Sequence, residues 1–318
     1  MYFSKSNPFY HGIMFHNFHD SKKHKSGQGS ISKKNFLEII NFIGKKNILD
    51  ADDFLDRFKN KTLKKNHVCL TFDDGSLSQF DVAIPVLKDL NIKAFFFIYS
   101  SMFTNKPDFL EVYRYFRNNF FKNIDEFYSQ FYEHVDLKYI KFLNKNKKLI
   151  NQKKKIYPHY SVSDIKFRLV RNEFITRIQY KNIMIKLFKE KKFVPAIFFD
   201  SLFMKKEHLI KIHKLGHLIG LHSHTHPTAL KKLSYKNQFK EYKRNLTFFS
   251  KTLNCTRDTF KTMSHPSGSF NGNTKKVLDK LNISIGFIAK MYLKNKSIIP
   301  KYEIPRQDHS DIMDMMQE

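Results

Sequence analysis

The chain of 318 residues is long enough for one large domain, and its two cysteines, Cys69 and Cys255, are too few and too far apart for a disulfide framework or a CxxC pair. This cysteine content indicates a reducing compartment. The net charge of +28 would suit nucleic acid or anionic lipid, but no zinc-finger, basic-zipper or RNA-recognition signature accompanies it. We therefore expect no specific nucleic-acid partner, and peripheral contact with an anionic membrane surface is the partner that the charge suggests.

The sequence predicts neither a secretory signal nor a membrane span. Its first twenty residues lack the basic start, continuous apolar core and small-residue cleavage site of a secretory signal. The longest apolar stretches, such as AFFFIY, fall far short of the roughly 20 residues that cross a bilayer. The expected location is cytoplasmic, with membrane contact at most peripheral.

A strand, a helix and a second strand are predicted between residues 67 and 100. HVCLTFDDG predicts a buried strand that ends in Asp73, Asp74 and Gly75, SQFDVAIPVLKDLN predicts a helix, and IKAFFFIYS predicts the second strand. This order within roughly 30 residues is typical of a parallel sheet, in which reactive groups lie at the carboxyl ends of the strands. The two adjacent aspartates are therefore well placed for chemistry.

Residues 103–200 have a different composition and predict a large helical insertion. Aromatic and aliphatic residues recur at helical spacing from Phe109 to Phe120 and again from Ile124 to Phe131. Such stripes are more typical of core packing than of a sugar-binding platform. The lysine-rich stretch 144–160 predicts a solvated loop, and a further amphipathic helix is expected from about Ser163 to Glu190.

The alternation of strands and helices resumes after the insertion. FVPAIFFDSLF is strand-like, KKEHLIKIHKLGHLIGLHSHTHP predicts a helix, a turn, a short strand and a histidine-rich loop, and Ser234 is placed to cap a long helix. TFKTMSHPSG and ISIGFIA predict two further strands on either side of the helical NTKKVLDKL. Residues 1–102 and 201–318 are therefore expected to form one domain that residues 103–200 interrupt.

The histidine-rich loop HSHTHP contains two candidate metal ligands. His222 and His226 are four residues apart, a spacing that by itself is commoner among packing or surface histidines than among ligands, and Ser223 stands where an HExxH protease needs glutamate. With Asp74, the two histidines would complete a two-histidine, one-carboxylate set that leaves open positions on a divalent metal. Asp73 would then be free to take a proton from the water that the metal activates.

These motifs resemble those of the metal-dependent polysaccharide deacetylases, also called carbohydrate esterase family 4 and known for the NodB-homology domain. TFDDG resembles the first motif of that family, and GHLIGLHSHTHP resembles the segment that ends in the second. SHPSGSFN matches the third motif only in part, through Pro266 and Gly268. IMFHNF, which contains His16, resembles an element found near the start of these proteins.

The resemblance implies a distorted, incomplete (β/α) barrel, here with a large helical insertion, whose site opens at the carboxyl ends of the strands. It implies hydrolysis of an acetyl group on a sugar in surface-glycan biosynthesis or modification. An N-acetyl group is the first expectation and an O-acetyl group the second. The metal implied is zinc, with cobalt, nickel or iron as alternatives. In this sequence the catalytic base aligns with Asp73, the metal ligands align with Asp74, His222 and His226, and a backbone N–H near Ser267 or Gly268 would hold the oxyanion.

Two residues of the family pattern, the arginine beside the base and the histidine general acid, are not found at their usual positions. Ser264 stands where the best-known members carry an arginine, and Arg306 in EIPRQDH is the candidate replacement, with a structural salt bridge as the alternative. No late histidine motif supplies the usual general acid, so His309, His16 and a water relay stay open for that role. A catalytically silent, metal-containing glycan-binding relative is the alternative function, although Asp73 would then have no purpose.

Overall fold

The computed structural model describes residues 9–105, 107–291 and 299–318. The chain divides into two compact units, one formed by residues 1–108 with 201–318 and the other by residues 109–200. The predicted lack of a secretory signal concerns residues that lie partly outside the described ones, since residues 1–8 are not among them. No helix within the described ranges is both long and apolar enough to cross a membrane.

The first unit is built on parallel strands. The strands, in chain order, are β1 (His11–Phe15), β2 (Asn17–His19), β3 (Ser30–Ser32), β4 (Val68–Asp73), β5 (Phe95–Ile98), β6 (Leu218–Leu221), β7 (Thr262–Ser264), β8 (Ile285–Phe287) and β9 (Arg306–Asp308). Seven of them form one parallel sheet in the order β8-β7-β6-β5-β4-β1-β9, while β2 and β3 pair separately. The central strands are buried on both faces, as is typical of parallel sheets that helices cover.

The seven-stranded sheet is nearly closed into a barrel with one unsealed seam, between β8 and β9. The chain just before β9 approaches β8 there: Ile304 N–H donates to the Gly286 carbonyl at 2.9 Å, and Ile288 N–H donates to the Ile304 carbonyl at 2.9 Å. The predicted distorted, incomplete (β/α) barrel is therefore confirmed. In such a fold the carboxyl ends of all the strands share one face.

Helices follow most of the strands. In chain order they are α1 (Lys33–Ile43), α2 (Ala51–Lys59), α3 (Ile84–Asp89), α4 (Leu110–Asn119), α5 (Ile124–Glu133), α6 (Lys138–Lys145), α7 (Lys147–Ile156), α8 (Val162–Leu169), α9 (Arg177–Glu190), α10 (Phe199–Leu202), α11 (Lys206–Lys214), α12 (Tyr235–Leu253), α13 (Gly272–Lys280) and α14 (His309–Gln317). The predicted cap of α12 is confirmed, because Ser234 Oγ accepts the Asn237 N–H. A π-helical turn, Gln79–Ala83, leads into α3.

The second unit is entirely helical in its described part. Its core is aromatic: Phe116, Phe127 and Phe131 are fully buried, and Phe167 packs against the rings of the latter two. The predicted assignment of the aromatic stripes to core packing is therefore confirmed.

Three local predictions were wrong. Residues 193–203 form a 3₁₀ turn, Pro195–Phe198, and then α10 instead of a strand, because Pro195 lacks a backbone donor and opens a helix well. The lysine-rich stretch contains α7 because lysine is a good helix former and Ile150 packs against α8. The single helix expected from Ser163 is broken by a π-helical turn, Val170–Phe174, and restarts at the capping residue Thr176.

Candidate active site

Two sharp backbone corners form the site. At the end of β4, Asp74 has a φ of 74° and Gly75 a φ of 75°. In the loop after β6, Ser223 has a φ of 63° and His226 a φ of 47°. Residues other than glycine rarely adopt this left-handed backbone conformation, and such backbone strain is concentrated at functional sites. The corners turn the carboxylates at the end of β4 and the imidazoles after β6 toward one another, across the end of the intervening strand β5.

Asp74, His222 and His226 converge at one point. Asp74 Oδ1 lies 3.2 Å from His222 Nε2 and 3.2 Å from His226 Nε2, and the two Nε2 atoms are 3.1 Å apart. All three side chains are buried, and the atoms that could bind a metal ion lie within 4.8 Å of one another. The structure therefore brings together the three residues expected as metal ligands.

The chemistry of this trio fits a divalent cation. Asp74 Oδ1 is buried without a hydrogen-bond partner, which is costly unless something else occupies its lone pairs. His222 Nδ1 lies 3.0 Å from the Ser264 carbonyl and 2.7 Å from the Ser264 hydroxyl; a proton on Nδ1 that is donated to the carbonyl leaves the Nε2 lone pair for a cation. Two imidazole nitrogens and one carboxylate oxygen are ligands that suit zinc and related metals.

The charged groups of the trio and Asp73 act on one another's pKa values. Burial disfavours the charged form of His222, but Asp73 and Asp74 outweigh burial and raise its pKa. Burial lowers the pKa of His226 to about 3, against the opposing effect of Asp74. Burial would raise the pKa of Asp74, but the two histidines hold it well below its usual value. At neutral pH the cluster therefore presents an ionised carboxylate and a neutral His226.

Arg306 contacts Asp73, the candidate base. Its Nη1 and Nη2 donate to the two carboxylate oxygens of Asp73 at 2.7 Å each, and its Nε donates to the Ile288 carbonyl at 3.1 Å. Arg306 is only 1% exposed. Burial would raise the pKa of Asp73, but Arg306, with His222 and His16, outweighs burial and holds that pKa below its usual value. Asp73 is therefore ionised and fixed in orientation.

Gly12 makes the contact between Arg306 and Asp73 sterically feasible. Strand β1 lies between β4 and β9, so the Arg306 side chain must pass over it. A Cβ atom at Gly12 would lie 3.0 Å from Arg306 Cγ and 3.1 Å from Thr71 Cγ2. Gly12 was not predicted from the sequence, because only the order of the strands reveals this requirement.

His16 and Gln79 lie beside the aspartates. Gln79 Nε2 donates to the His16 carbonyl at 2.7 Å and to the Asp73 carbonyl at 2.5 Å, so it ties the end of β1 to the end of β4. The His16 ring is close enough to act electrostatically on both Asp73 and Asp74. Gln79 was also missed, and its fully buried amide on a π-helical turn is the structural signal for it.

The third motif forms a tight turn. Pro266 opens it, Ser267 has a φ of 50°, and the Gly268 N–H donates to the His265 carbonyl at 2.9 Å. Of the two expected oxyanion donors, Gly268 is therefore engaged within the turn. The exposed Ser267 is left as the candidate.

His309 packs at the start of α14. Its ring is buried, stacks on Phe15 with a centroid distance of 5.8 Å, and places Nδ1 3.3 Å from the Met14 carbonyl and 3.4 Å from Asp308 Oδ1. Within the described residues none of its contacts is to Asp73 or to the metal trio. The structure thus does not bring His309 together with them, whereas it does place His16 beside them.

Helix α12 holds the histidine loop in place. Asn245 Oδ1 accepts the His222 N–H at 2.9 Å, and Asn245 Nδ2 donates to the Ile98 carbonyl at 3.1 Å. Glu241 accepts the backbone N–H groups of His224 and Thr225 at 3.0 and 2.7 Å. From the sequence, only the cap of α12 at Ser234 was predicted, and neither contact was.

A family profile described as polysaccharide deacetylase matches residues 60–117 and 179–286, together more than half of the chain. The matched residues include both aspartates and both histidines of the site, whereas Arg306 and His16 lie outside them. No curated protein sequence matches the chain.

Three solved structures, two of them named as deacetylases, share the fold. The deacetylase PplD from Streptococcus pyogenes, in complex with acetate, is 14% identical with a TM-score of 0.53, over 96% of this chain and 97% of that one. The de-N-acetylase from Aggregatibacter actinomycetemcomitans is 14% identical with a TM-score of 0.53, over 94% and 95%. IcaB from Ammonifex degensii is 13% identical with a TM-score of 0.51, over 88% and 83%. At these identities the similarity concerns the fold alone.

Proposed function

Since the chain belongs to the polysaccharide deacetylase family, we propose that it is a metal-dependent hydrolase. It removes an acetyl group from a sugar of a surface glycan or of a glycan precursor, and an N-acetyl group is proposed ahead of an O-acetyl group. The family supports a hydrolase that deacetylates a carbohydrate. Metal dependence and the glycan are the proposed refinements. The single observation that carries the proposal is an ionised Asp73, held by Arg306, directly beside the Asp74, His222 and His226 trio.

Asp74, His222 and His226 would hold the cation, with zinc proposed first and cobalt, nickel or iron as alternatives. Such a cation supplies Lewis acidity, which polarises a carbonyl group and lowers the pKa of water. The protein itself contributes the fixed tautomer of His222, through Ser264, and the corner that aims Asp74.

Asp73 is suited to accept a proton from water as the water oxygen attacks the acetyl carbonyl carbon. Arg306 keeps the carboxylate ionised and oriented, and a positioned base of this kind contributes roughly 10²- to 10⁴-fold to the rate. The Ser267 N–H is proposed to stabilise the oxyanion. Collapse of the tetrahedral intermediate breaks the bond from carbon to nitrogen, the sugar amine takes up a proton, and acetate is released. His16 is the proposed source of that proton, with His309 and a water relay as alternatives.

The proposal is tested by measuring acetate release from a panel of N-acetylated and O-acetylated sugars, nucleotide sugars and oligosaccharides. Zinc-loaded wild type should release acetate, while Asp73→Asn should lose at least about a hundredfold in rate and still bind zinc. Asp89→Asn, an exposed change on α3, is the matched control and should behave as wild type. If fully metallated wild type releases no acetate from any member of the panel, the silent glycan-binding alternative replaces the proposal.

A further inference from the structure

The helical unit carries the exposed aliphatic surface of the protein. Each large hydrophobic side chain that is exposed within the described ranges belongs to residues 109–200. These side chains are Leu137, Ile140, Val162, Ile178, Ile185, Val194 and Ile197. Single exposed apolar residues are common on any protein, but their confinement to one unit points to a contact surface there.

Helix α9 is apolar on two opposite faces. One face packs into the helical unit through buried Ile183, Met184 and Leu187. The other face presents Ile178, 73% exposed, and Ile185, 37% exposed. These two isoleucines are seven residues apart, so they lie on the same side of the helix, about two turns from each other. A helix at a protein surface normally has one apolar face, so the second one calls for a partner.

Lysines surround the exposed isoleucines. At 100° per residue, Lys181 and Lys189 fall on the same side of α9 as Ile178 and Ile185, Lys186 lies at the edge of that side, and all three lysines are exposed. The helix contains one acidic residue, Glu190, which lies away from that side and contacts His134 Nε2 at 3.1 Å. The exposed face of α9 is therefore both apolar and cationic.

We propose that the exposed face of α9, made of Ile178, Lys181, Ile185, Lys186 and Lys189, docks on an anionic lipid surface. The isoleucines would enter the boundary between headgroups and acyl chains while the lysines contact lipid phosphates, as in interfacial helices with a basic polar face. A second copy of the chain is a poorer occupant, because a two-fold contact would bring lysines against lysines. This proposal is independent of the hydrolytic reaction.

The absence of tryptophan from the chain allows a direct test. Ile178→Trp introduces a single fluorescent reporter on the docking face, and Lys34→Trp places the control reporter on α1, where the lysine side chain is 83% exposed. Each full-length variant is titrated with vesicles of phosphatidylcholine alone and of phosphatidylcholine with phosphatidylglycerol. We expect a blue shift, and quenching by brominated acyl chains, only for position 178 and only with phosphatidylglycerol.

A second set of variants tests the two parts of the docking face separately. In flotation assays, Ile178→Ser with Ile185→Ser, and Lys181→Gln with Lys186→Gln and Lys189→Gln, should each weaken vesicle binding roughly tenfold or more. Because all five side chains are exposed, the helix content seen by circular dichroism should stay unchanged. The proposal is overturned by three results: equal binding to neutral vesicles, no shift with either vesicle, or a shift that grows with protein concentration without lipid, which would indicate self-association.

Discussion

Arg306 on β9 and Asp73 on β4 are joined by two hydrogen bonds of 2.7 Å that cross over the intervening strand β1. A pair of this kind fixes the relative orientation of the two side chains. Loss of one partner lowers the stability of the fold, since a buried carboxylate without its counter-charge is energetically unfavourable. The relationship links the chemistry of the site directly to the closure of the barrel.

Replacing Arg306 should damage both stability and activity. Arg306→Met leaves Asp73 buried without its partner, which should cost about 3–5 kcal/mol in unfolding free energy. Arg306→Lys keeps the charge but loses the two-pronged contact, so it should lower kcat more than it lowers stability. Urea unfolding and acetate release check the two effects. Arg57→Lys, at a largely exposed pair with Asp53, is the control, and a comparable loss there would contradict the prediction.

Gly12→Ala should act through Arg306. The added Cβ would lie 3.0 Å from Arg306 Cγ, so the guanidinium must shift, at a cost of about 1–3 kcal/mol. We expect a tenfold or larger fall in kcat/KM, since sub-ångström positioning of the base matters. Gly272→Ala, at a position where an added Cβ meets nothing within 4 Å, should be neutral in both assays. Wild-type activity in Gly12→Ala would show that the close approach is tolerated.

Metal binding should depend on the histidine pair. His222→Ala combined with His226→Ala should abolish the binding of one equivalent of zinc, measured by calorimetry on chelator-treated protein. Zinc at a hundred times its Kd should stabilise wild type by about 2.7 kcal/mol and leave the double variant unchanged. His134→Ala in the helical unit is the control. Retention of wild-type affinity in the double variant would refute the ligand assignment.

Gln79 should prove to be a positioning residue. Gln79→Leu removes the donor shared by the His16 and Asp73 carbonyls; the His16 carbonyl keeps the Ser76 hydroxyl at 3.2 Å, and loss of the donor to the buried Asp73 carbonyl costs about 1–3 kcal/mol. Because the end of β4 would loosen, kcat should fall while KM stays close to that of wild type. Gln130→Leu, whose side-chain partner is Glu126 in the helical unit, should leave kcat unaltered. An unchanged kcat in Gln79→Leu would restrict Gln79 to a structural role.

The link between Asp81 and the loop after β2 should show in the pH dependence of stability. Burial would raise the pKa of Asp81, but hydrogen bonds from Lys23 and His24 lower it below its usual value. A lowered folded-state pKa adds stability above the unfolded pKa of about 3.9, and this stability is lost as the pH falls through the folded-state value. Asp81→Asn should therefore cost up to about 1 kcal/mol near neutral pH and little in strong acid. A pH-independent difference in urea unfolding would contradict this.

The sequence allowed the metal trio and Asp73 to be predicted because their motifs are short and continuous. TFDDG and HSHTH each place two functional residues within five positions, at strand ends that a parallel sheet brings together. The contact between Arg306 and Asp73 could only be offered as one of two alternatives, since it depends on β9 pairing with β1. Gly12 and Gln79 were missed because their importance lies in the space and the carbonyl groups that other strands present to them.

The wrong local predictions have a common physical origin. Apolar content at residues 193–203 indicated a strand, yet the fixed φ of Pro195 and the lack of a donor there favour a helical turn. Lysine content at residues 144–160 indicated a loop, yet the burial of Ile150 gives α7 a packing face. In both stretches, backbone propensity and tertiary packing outweighed composition.

The position of Arg306 along the chain has a consequence for biosynthesis. Asp73, Asp74, His222 and His226 all emerge from the ribosome before Arg306, so a nascent chain can assemble the metal ligands while Asp73 still lacks its counter-charge. Asp73, the proposed base, gains its counter-charge only when β9 adds to the edge of the sheet beside β1. A partly made or truncated chain that ends before β9 would therefore keep both recognisable motifs while Asp73 lacks its contact with Arg306.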